Sequence, residues 1–480
     1  MSSIKQQTIK GVVWSGVEKF ANQGLRFLVG LVLARLLPPS DFGLVAMLAI
    51  FYSISNIFID SGFGTALIRK QNRTEEDFTT VFIFNVIISI IFYIILFLIA
   101  PWVGVFFKTP ILCSLLRVQS VCLIFTGLMA VLDAKLTIEL NFKAIAQRSI
   151  LSSIVSGCVG ICLAYWGWGV WALVYQTITF SLVNLIFVWA YCKWRPNLIF
   201  SWASFKDLGS FGSKLLAAGL LNTIYVNLTP LAIGRFYTAK DLGYYKRGSE
   251  FAQMPNGICL SVLQKVILPI LSTIQDDESQ LLEVYRKYIK ITSMFLIFFS
   301  ILLAALSKPT ILLLLTDKWA DSIIFLQLFC FAVMFSHINT INLSLLQVKG
   351  RSDLFLRLEI IKKTVATIIL FAAIPFGVLA ICISKIIYDQ IAIIINTYYS
   401  GKLFNMGYYS QVKDFIGYFF ASLSACLPAY LITFTNLPYI VQLILGIVSA
   451  FSIYYMLLRK DVLMIEIFDL VKSKLQHTKY

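Results

Sequence analysis

Residues 22–56 decide the fold, because the stretch NQGLRFLVGLVLARLLPPSDFGLVAMLAIFYSISN returns 200 positions later, at 222–256, as NTIYVNLTPLAIGRFYTAKDLGYYKRGSEFAQMPN. Aligned without a gap, the two stretches share eight residues: Asn22 and Asn222, Leu28 and Leu228, Leu31 and Leu231, Arg35 and Arg235, Asp41 and Asp241, Gly43 and Gly243, Phe51 and Phe251, Asn56 and Asn256. The Asn, Arg, Asp and Gly matches carry most weight, since an apolar composition alone produces Leu and Phe matches. The sequence therefore predicts an internal duplication.

Each copy is an apolar helix, a short hairpin with the pattern Arg-x5-Asp-x-Gly, and a second apolar helix. Internal repeats of apolar helices are frequent in membrane transporters. The composition agrees, because 59% of the residues are hydrophobic, only 13% are charged and the mean hydropathy is +0.83. Soluble chains of this length carry far more charge. We therefore expect an all-α polytopic membrane protein that moves a substrate across a bilayer.

About fourteen segments are apolar enough to cross a bilayer, which takes roughly 20 residues per helix. They end near Leu36, Ala66, Phe107, Asp133, Trp166, Cys192, Tyr237, Thr273, Leu306, Leu346, Ile374, Tyr399, Phe434 and Leu458. The first segment keeps Glu18, Lys19 and Arg26 inside its apolar run, unlike the short uninterrupted core of a signal peptide. We expect it to be retained.

The net charge of +16 is distributed in a way that favours a membrane protein over a nucleic-acid-binding protein. Reading alternate connections from the N-terminus, 26 of the 40 basic residues fall on one side of the predicted membrane. The positive-inside rule assigns that side to the cytoplasm. Both termini are thus predicted to be cytoplasmic, and the number of spans to be even.

The 200-residue spacing covers six helices, so the second copy starts on the same side as the first and the repeats are parallel. The prediction is two parallel six-helix lobes, residues 1–195 and 196–400, followed by an appended helix pair at 401–460. Residues 461–480 are predicted to be a cytoplasmic tail or an interfacial helix, because Glu466, Asp469 and Lys472 oppose apolar residues at helical spacing.

Metal, cofactor and enzyme sites are not predicted. The nine cysteines are scattered, and the two histidines stand in no metal-ligand spacing. The Gly-rich run at 209–214 lacks the spacing of a phosphate-binding loop. Neither a Gly-x-Ser-x-Gly motif nor a long external loop indicates catalysis. We expect a non-enzymatic protein that uses no cofactor.

Charge buried at membrane depth is costly and usually faces a cavity or a partner. The first helix concentrates such charge in a polar stripe of residues recurring every three or four positions: Ser15, Glu18, Lys19, Asn22, Gln23 and Arg26. Two interpretations stay open. The stripe lines a substrate cavity through Lys19, Asn22 and Arg26, or it forms an ion-pair network in which Glu18 pairs with Lys19 or Arg26.

The second copy offers matching polar positions, with Lys214 and Asn222 in the seventh helix and Lys265 in the eighth. Together with the first stripe they predict a cationic chamber that prefers an anionic guest. Lys265 could instead extend to the cytoplasmic surface. Three carboxylates are candidates for proton uptake that couples transport to an ion gradient: Glu18, Asp60 and Glu250.

Arg35 and Asp41, and their counterparts Arg235 and Asp241, flank the repeated hairpin. An arginine there can meet the carbonyls that end one helix, and an aspartate can cap the next. We interpret all four as structural. A gating role is the alternative, since external hairpins separate when a transporter opens outward.

The first two helices resemble a known family through two stretches: ARLLPPSDFGL at 34–44 and DSGFGTALIRK at 60–70. They are similar to bacterial polysaccharide-export flippases, the Wzx-type lipopolysaccharide and colanic-acid exporters of the multidrug/oligosaccharidyl-lipid/polysaccharide superfamily. The resemblance extends over essentially the whole chain, including GYYKR at 243–247.

The resemblance implies a multi-pass protein of the bacterial inner membrane. Its substrate would be an undecaprenyl-pyrophosphate lipid carrying an oligosaccharide repeat unit, turned to the outer leaflet by alternating access for O-antigen, capsule or exopolysaccharide assembly. Lys19, Arg26 or Lys214 could hold the pyrophosphate through charge-assisted hydrogen bonds. The implied partners are the lipid-linked oligosaccharide, membrane lipid and the polysaccharide polymerase machinery, with no nucleic acid.

Other classes remain as alternatives. A cation-coupled multidrug antiporter of the same superfamily would share the lobes but favour a carboxylate-rich chamber. A sugar transporter of the major facilitator type also has parallel repeats, yet the residues after the second helix, RKQNR at 69–73, do not match its loop motif. A membrane polymerase or ligase acting on lipid-linked sugars would need a large external loop.

Overall fold

The computed structural model describes residues 2–197, 199–466 and 469, with the side chains of 2–13, 258, 261–262 and 264–266 left out. In this part of the chain all regular secondary structure is helical. The helices of the N-terminal half are α1 (Ser2–Leu36), α2 (Pro39–Asp60), α3 (Phe63–Arg69), α4 (Glu75–Phe106), α5 (Ile111–Gln119), α6 (Val121–Ile138), α7 (Phe142–Tyr165), α8 (Val170–Tyr191) and α9 (Trp202–Phe236).

The C-terminal half continues with α10 (Ala239–Thr273), α11 (Glu278–Ala305), α12 (Ser307–Leu315), α13 (Ser322–Val333), α14 (Ser336–Val348), α15 (Ser352–Ala373), α16 (Val378–Phe404), α17 (Tyr408–Ile432) and α18 (Tyr439–Leu458). Two short 3-10 turns lie at Asp317–Trp319 and Ile374–Phe376. The chain forms two compact units, Met1–Gly243 and Tyr244–Tyr480.

Eleven helical segments of the described residues are long and apolar enough to cross a membrane. Three more long helices, α1, α10 and α15, coincide with the remaining predicted spans. Every 18-residue stretch of α1 and α15 contains at least three charged residues. The prediction of an all-α polytopic membrane protein is confirmed, and the count of fourteen spans stays a prediction.

Helix bounds repeat along the chain as the residues do. The helices α1 and α9 both contain 35 residues, and each bound of α9 lies 200 positions after its counterpart in α1. The starts of α2 and α10 are separated by the same interval. The hairpin that joins each pair therefore occupies equivalent positions in the two copies.

Gly43 and Gly243 make reciprocal close contacts with the repeated hairpins, inside the first unit. A Cβ on Gly43 would stand 1.7 Å from the carbonyl oxygen of Ala239, and one on Gly243 would stand 2.0 Å from that of Pro39. Residues 39 and 239 are equivalent positions, as are 43 and 243. Only glycine allows the backbones to approach this closely.

The segment Pro39–Arg69 is interrupted between α2 and α3, where Ser61 and Gly62 adopt left-handed φ angles of 44° and 70°. The interruption lies against α9. A Cβ on Gly212 would be 2.6 Å from the carbonyl oxygen of Ser61. Backbone therefore contacts backbone at this point, which fixes where α3 and α9 meet.

Each unit has its own apolar core. In the first unit, Phe63, Leu67 and Phe82 belong to a buried cluster between α3, α4, α6 and α9. In the second unit, the ring of Phe298 on α11 stacks on that of Tyr454 on α18, with centroids 4.2 Å apart. Burying these side chains supplies the main packing of each unit.

The helix pair predicted to be appended packs into this second core. The Tyr454 hydroxyl donates a 2.6 Å hydrogen bond to the carbonyl oxygen of Met294 on α11, and Ala425 of α17 is fully buried. The contacts also group α9 with the first unit. The lobe boundaries at 195 and 400 stay predictions from the duplication. Most of the predicted 461–480 segment lies outside the described residues.

Candidate functional site

Asn22 anchors the polar stripe of α1 against α7. Its amide Nδ2 donates to the Ser149 hydroxyl at 2.7 Å, and the Ser153 hydroxyl donates to its Oδ1 at 2.8 Å. Small residues on α7 allow the two helices to come close, since a Cβ on Gly157 would be 2.6 Å from the Val29 side chain. The amide of Asn22 is thus a fixed contact between helices.

Arg26 lies one helical turn further along the same face. Its guanidinium stands over the ring of Phe180 on α8, 5.2 Å from the centroid. This cation–π contact holds an otherwise exposed side chain. Arg26 forms no salt bridge with any of the described residues, so no described carboxylate neutralises its positive charge.

A cavity of about 300 Å³ opens beside Arg26, inside the first unit. Its walls come from α1, α7 and α8 and are formed by Arg26, Val29, Ser153, Ser156, Gln176, Thr177 and Phe180. A guanidinium fork, hydroxyls and an amide together can bind an anionic oxygen and sugar hydroxyl groups. The arrangement fits a polar anionic guest.

Glu18 and Lys19 precede this cavity on α1, with Glu18 half-buried and Lys19 exposed. Within the described residues neither takes part in a salt bridge. The ion-pair network that the sequence left open is therefore not formed by these side chains. The stripe keeps its charges available at the surface of α1.

The polar positions of the second copy lie elsewhere. Lys214 and Asn222 are exposed on α9, and the side chain of Lys265 lies outside the described residues. Asp60 is exposed at the end of α2. Lys214 and Asp60 are each two residues from the contact between Gly62 and Gly212, so the chain brings that lysine and that carboxylate to one region of the first unit.

Glu250 is engaged by a neighbour on its own helix. The Arg247 guanidinium donates to its Oε2 at 3.2 Å. The carboxylate is half-exposed, whereas the arginine is nearly buried. This pairing stabilises the buried arginine and makes Glu250 a poorer candidate for proton uptake than Asp60, which has no salt bridge among the described residues.

Asp241 has a partner within its own hairpin, and Arg235 has one at the end of α4. Asp241 forms a capping box with Thr238, since Thr238 N donates to Asp241 Oδ2 at 3.2 Å and Asp241 N donates to the Thr238 hydroxyl oxygen at 3.1 Å. Arg235 donates to the carbonyl oxygen of Phe106 at 2.7 Å. Arg35 is exposed and Asp41 half-buried in the equivalent hairpin. These contacts shape the hairpin.

Other membrane-depth charges are paired within their units. Asp133 on α6 accepts a hydrogen bond from Arg148 on α7, and Lys385 pairs with Asp389 along α16 at 2.7 Å. His337 is fully buried, with its Nε2 2.8 Å from the Ser293 hydroxyl. Each group makes a helix–helix or intrahelical contact, so we interpret these residues as stabilising the fold.

Sequence reasoning missed the side chains that α7 and α8 contribute to the cavity. Ser153 and Ser156 are three residues apart on one helical face, a spacing visible in the sequence. Gln176 and Thr177 on α8 gave a weaker signal, because an isolated polar pair in an apolar helix has many explanations. Only the packing of α1 on both helices brings the four groups to Arg26.

The fold and the site together define a polytopic membrane transporter whose first unit contains a polar, cationic cavity. A family model described as polysaccharide biosynthesis protein matches residues 32–324. The chain therefore belongs to the polysaccharide biosynthesis protein family, whose match covers both copies of the repeated hairpin.

Curated relatives agree with this family. The chain is 26% identical to the lipopolysaccharide biosynthesis protein WzxC of Escherichia coli, over 93% of this chain and 89% of that protein. It is 26% identical to the succinoglycan biosynthesis transport protein ExoT of Rhizobium meliloti, over 65% of this chain but only 63%, under two thirds, of that protein. The teichuronic acid biosynthesis protein TuaB of Bacillus subtilis is 23% identical, over 74% of each chain.

Two solved structures share the fold. The lipid II flippase MurJ in an inward closed conformation superposes with a TM-score of 0.75 at 15% identity, covering 94% of this chain and 99% of that one. An inward-facing multidrug resistance MATE family transporter of the MOP superfamily gives 0.60 at 17% identity, covering 81% and 97%. The likeness to both shows that this chain has the same fold.

Proposed function

We propose that this protein is a flippase that moves undecaprenyl-pyrophosphate-linked oligosaccharide repeat units across the bacterial inner membrane by alternating access. It would serve assembly of O-antigen, capsule or exopolysaccharide. Three findings support the proposal: the polysaccharide biosynthesis family, relatives named for lipopolysaccharide, succinoglycan and teichuronic acid biosynthesis, and the fold shared with a lipid II flippase. The polymerase that extends the exported units is the proposed downstream partner.

The observation that carries the chemistry is the uncompensated guanidinium of Arg26 beside a polar cavity. A pyrophosphate is a dense anion, and a guanidinium binds it bidentately. The hydroxyls of Ser153 and Ser156 and the amide of Gln176 suit sugar hydroxyl groups. In this proposal Arg26 recognises the anionic part of the substrate, Asn22 fixes α1 for that purpose, and Lys19 and Lys214 extend the cationic path.

The orientation and the energy source complete the proposal. Both termini are cytoplasmic, as the distribution of Lys and Arg favours. Asp60 takes up the coupling ion, since it is an exposed carboxylate at the interrupted end of α2. Glu18 is the second candidate, and Glu250 the third because of its arginine neighbour.

A cation-coupled multidrug antiporter is the competing function, favoured by the shared fold with a multidrug transporter. The charge in the cavity decides between them. An organic cation would be repelled by Arg26, whose positive charge no described carboxylate neutralises, whereas an anion would be attracted. The flippase is therefore the better match to this site.

The proposal is tested by reconstituting the full-length protein in liposomes with a lipid-linked oligosaccharide and measuring how fast the glycan becomes accessible on the opposite leaflet. Arg26→Ala removes charge-assisted hydrogen bonds worth about 1.5–3 kcal/mol each. Translocation should slow about tenfold or more. Arg117→Ala is the matched control, because Arg117 also stands over a phenyl ring, at 4.4 Å from Phe97.

Three outcomes separate the hypotheses. Slow translocation by Arg26→Ala with normal translocation by Arg117→Ala supports the cavity. Unchanged translocation by Arg26→Ala places recognition elsewhere. Absent glycan translocation by the intact protein, together with proton-coupled efflux of an organic cation, would support the antiporter.

A further inference from the structure

A second polar cavity lies in the first unit, at the point where α3 ends and α9 begins. It has a volume of about 430 Å³, and its charged lining residues are Arg69, Lys70 and Asp207. Ser210 and Phe211 of α9 form much of the remaining wall. We call it the Arg69 cleft. No residue of the Arg26 cavity lines it, so the two cavities are separate.

Lys70 holds the cleft together. Its ammonium group lies 3.0 Å from Asp77 Oδ1 on α4 and 3.1 Å from Asp207 Oδ2 on α9. Burial opposes the charged form, but the hydrogen bonds to Asp77 and Asp207 outweigh it and raise the pKa of Lys70. Lys70 is therefore a charged link between two helices, fully occupied by two carboxylates.

Arg69 is the group in the cleft that remains to bind a ligand. Its guanidinium lies 4.6 Å from the centroid of the Phe211 ring, and the salt bridges of the described residues do not include it. Because the ring already restricts the side chain, less conformational entropy is lost on binding. Because Lys70 is already paired with two carboxylates, the guanidinium of Arg69 supplies the positive charge that attracts an anion.

The position of Arg69 at the end of an apolar segment favours a lipid phosphate as the anion that binds the cleft. It is the last residue of the apolar segment Pro39–Arg69, so it lies where a span reaches the lipid headgroups. Basic residues at that depth attract anionic lipid. The guanidinium fork matches two oxygens of a phosphate, and Ser210 adds a hydroxyl. The volume exceeds that of a single phosphate group and leaves room for a headgroup.

We propose that the Arg69 cleft binds the phosphate of an anionic membrane phospholipid at the cytoplasmic headgroup layer. The bound phosphate contacts Arg69 at the end of α3 and the Ser210 hydroxyl of α9, beside the Lys70 link between α4 and α9. This site does not depend on the transported cargo, because neither its residues nor its ligand belong to the Arg26 cavity. It adds a lipid site to the proposed flippase.

The test is native mass spectrometry and binding titration of the full-length protein in detergent with short-chain phosphatidylglycerol, and with phosphatidylcholine and inorganic phosphate as comparison ligands. Arg69→Ala should raise the dissociation constant for phosphatidylglycerol about tenfold. Arg69→Lys should give a smaller rise, since it keeps the charge and loses the fork. Arg117→Ala is the control, being an arginine stacked on a phenyl ring elsewhere.

Phosphatidylglycerol binding that weakens in Arg69→Ala and persists in Arg117→Ala supports the proposal. Equal affinity of the intact protein and Arg69→Ala overturns it, as does equal weakening by both variants. Inorganic phosphate binding as tightly as phosphatidylglycerol, with the same dependence on Arg69, overturns the assignment to a lipid. If Arg69→Ala fails to fold, Phe211→Leu tests the same contact by removing the ring.

Translocation measurements keep this inference distinct from the proposed function. A protein that does not flip lipid-linked glycan but binds phosphatidylglycerol through Arg69 contradicts the flippase and leaves the lipid site standing. A protein that flips lipid-linked glycan normally but binds phosphatidylglycerol independently of Arg69 supports the flippase and contradicts the lipid site.

Discussion

Replacing Gly43 by alanine should push the two repeated hairpins apart. The new Cβ would start 1.7 Å from the carbonyl oxygen of Ala239, whereas real Cβ atoms essentially never come closer than 3.0 Å. The backbones must therefore separate by about 1.3 Å. The same argument for Gly243→Ala, which starts 2.0 Å from the Pro39 carbonyl oxygen, gives about 1.0 Å.

The energetic effect combines two terms of opposite sign. Alanine improves on glycine within a helix by about 1 kcal/mol, while overpacking costs about 1–3 kcal/mol. Gly24→Ala isolates the first term, because a Cβ there meets nothing within 4 Å. We expect Gly43→Ala and Gly243→Ala each to be about 1–3 kcal/mol less stable than Gly24→Ala.

The double variant gives the sharper result. One separation of the hairpins makes room for both new methyl groups, so the second substitution should cost less than the first. The loss of stability in Gly43→Ala/Gly243→Ala should thus be smaller than the sum of the two single losses. The measurement is the melting temperature of the detergent-solubilised protein, followed by size-exclusion chromatography, for all four variants.

Two results would refute this reasoning. Single variants as stable as Gly24→Ala would mean that the hairpins are not in tight backbone contact. Strictly additive losses in the double variant would mean that the two glycines belong to independent contacts rather than to one shared surface.

Two further predictions concern the carboxylates. The Asp414 side chain is 2% exposed and accepts two hydrogen bonds from Arg286 at 2.9 and 2.7 Å, so Asp414→Ala should lower stability by about 2 kcal/mol in thermal unfolding. Asp353→Ala breaks a similar but solvent-exposed pair with Arg351 and should lower stability much less. Equal losses would contradict the burial argument. Asp60→Asn should abolish the response of translocation to a pH gradient without lowering the melting temperature. Glu250→Gln should lower the melting temperature. If translocation by both variants still responds to the pH gradient, neither carboxylate takes up the coupling proton.

The elements that follow local rules could be predicted from the sequence. Apolar runs of bilayer length predict the helices, and the 200-residue repeat predicts two hairpins in equivalent positions. The Thr238 to Asp241 spacing indicates a helix cap, and the capping box is present. Such features depend on residues within one or two helical turns, where periodicity and capping preferences decide the structure.

Features that depend on tertiary packing could not be predicted. Arg286 and Asp414 are 128 positions apart, and nothing in either helix selects the other residue. The walls of the Arg26 cavity come from three helices, so Ser153 and Gln176 become relevant only once α1 packs on α7 and α8. Local spacing suggests Glu250 as a residue that takes up a proton. The same spacing places Arg247 one helical turn earlier, where it pairs with Glu250.

The crossed pattern of the glycine contacts also bears on how the chain arose. Position 43 touches 239 and position 243 touches 39, so each hairpin offers the same two residues to the other. This reciprocity characterises an isologous interface, in which two identical subunits meet across a two-fold axis. A homodimer of six-helix ancestors, in which residue 43 of each subunit contacted residue 39 of the other, would leave this pattern after its gene was duplicated and the two copies fused. In that ancestor, the two glycines would have formed the subunit interface.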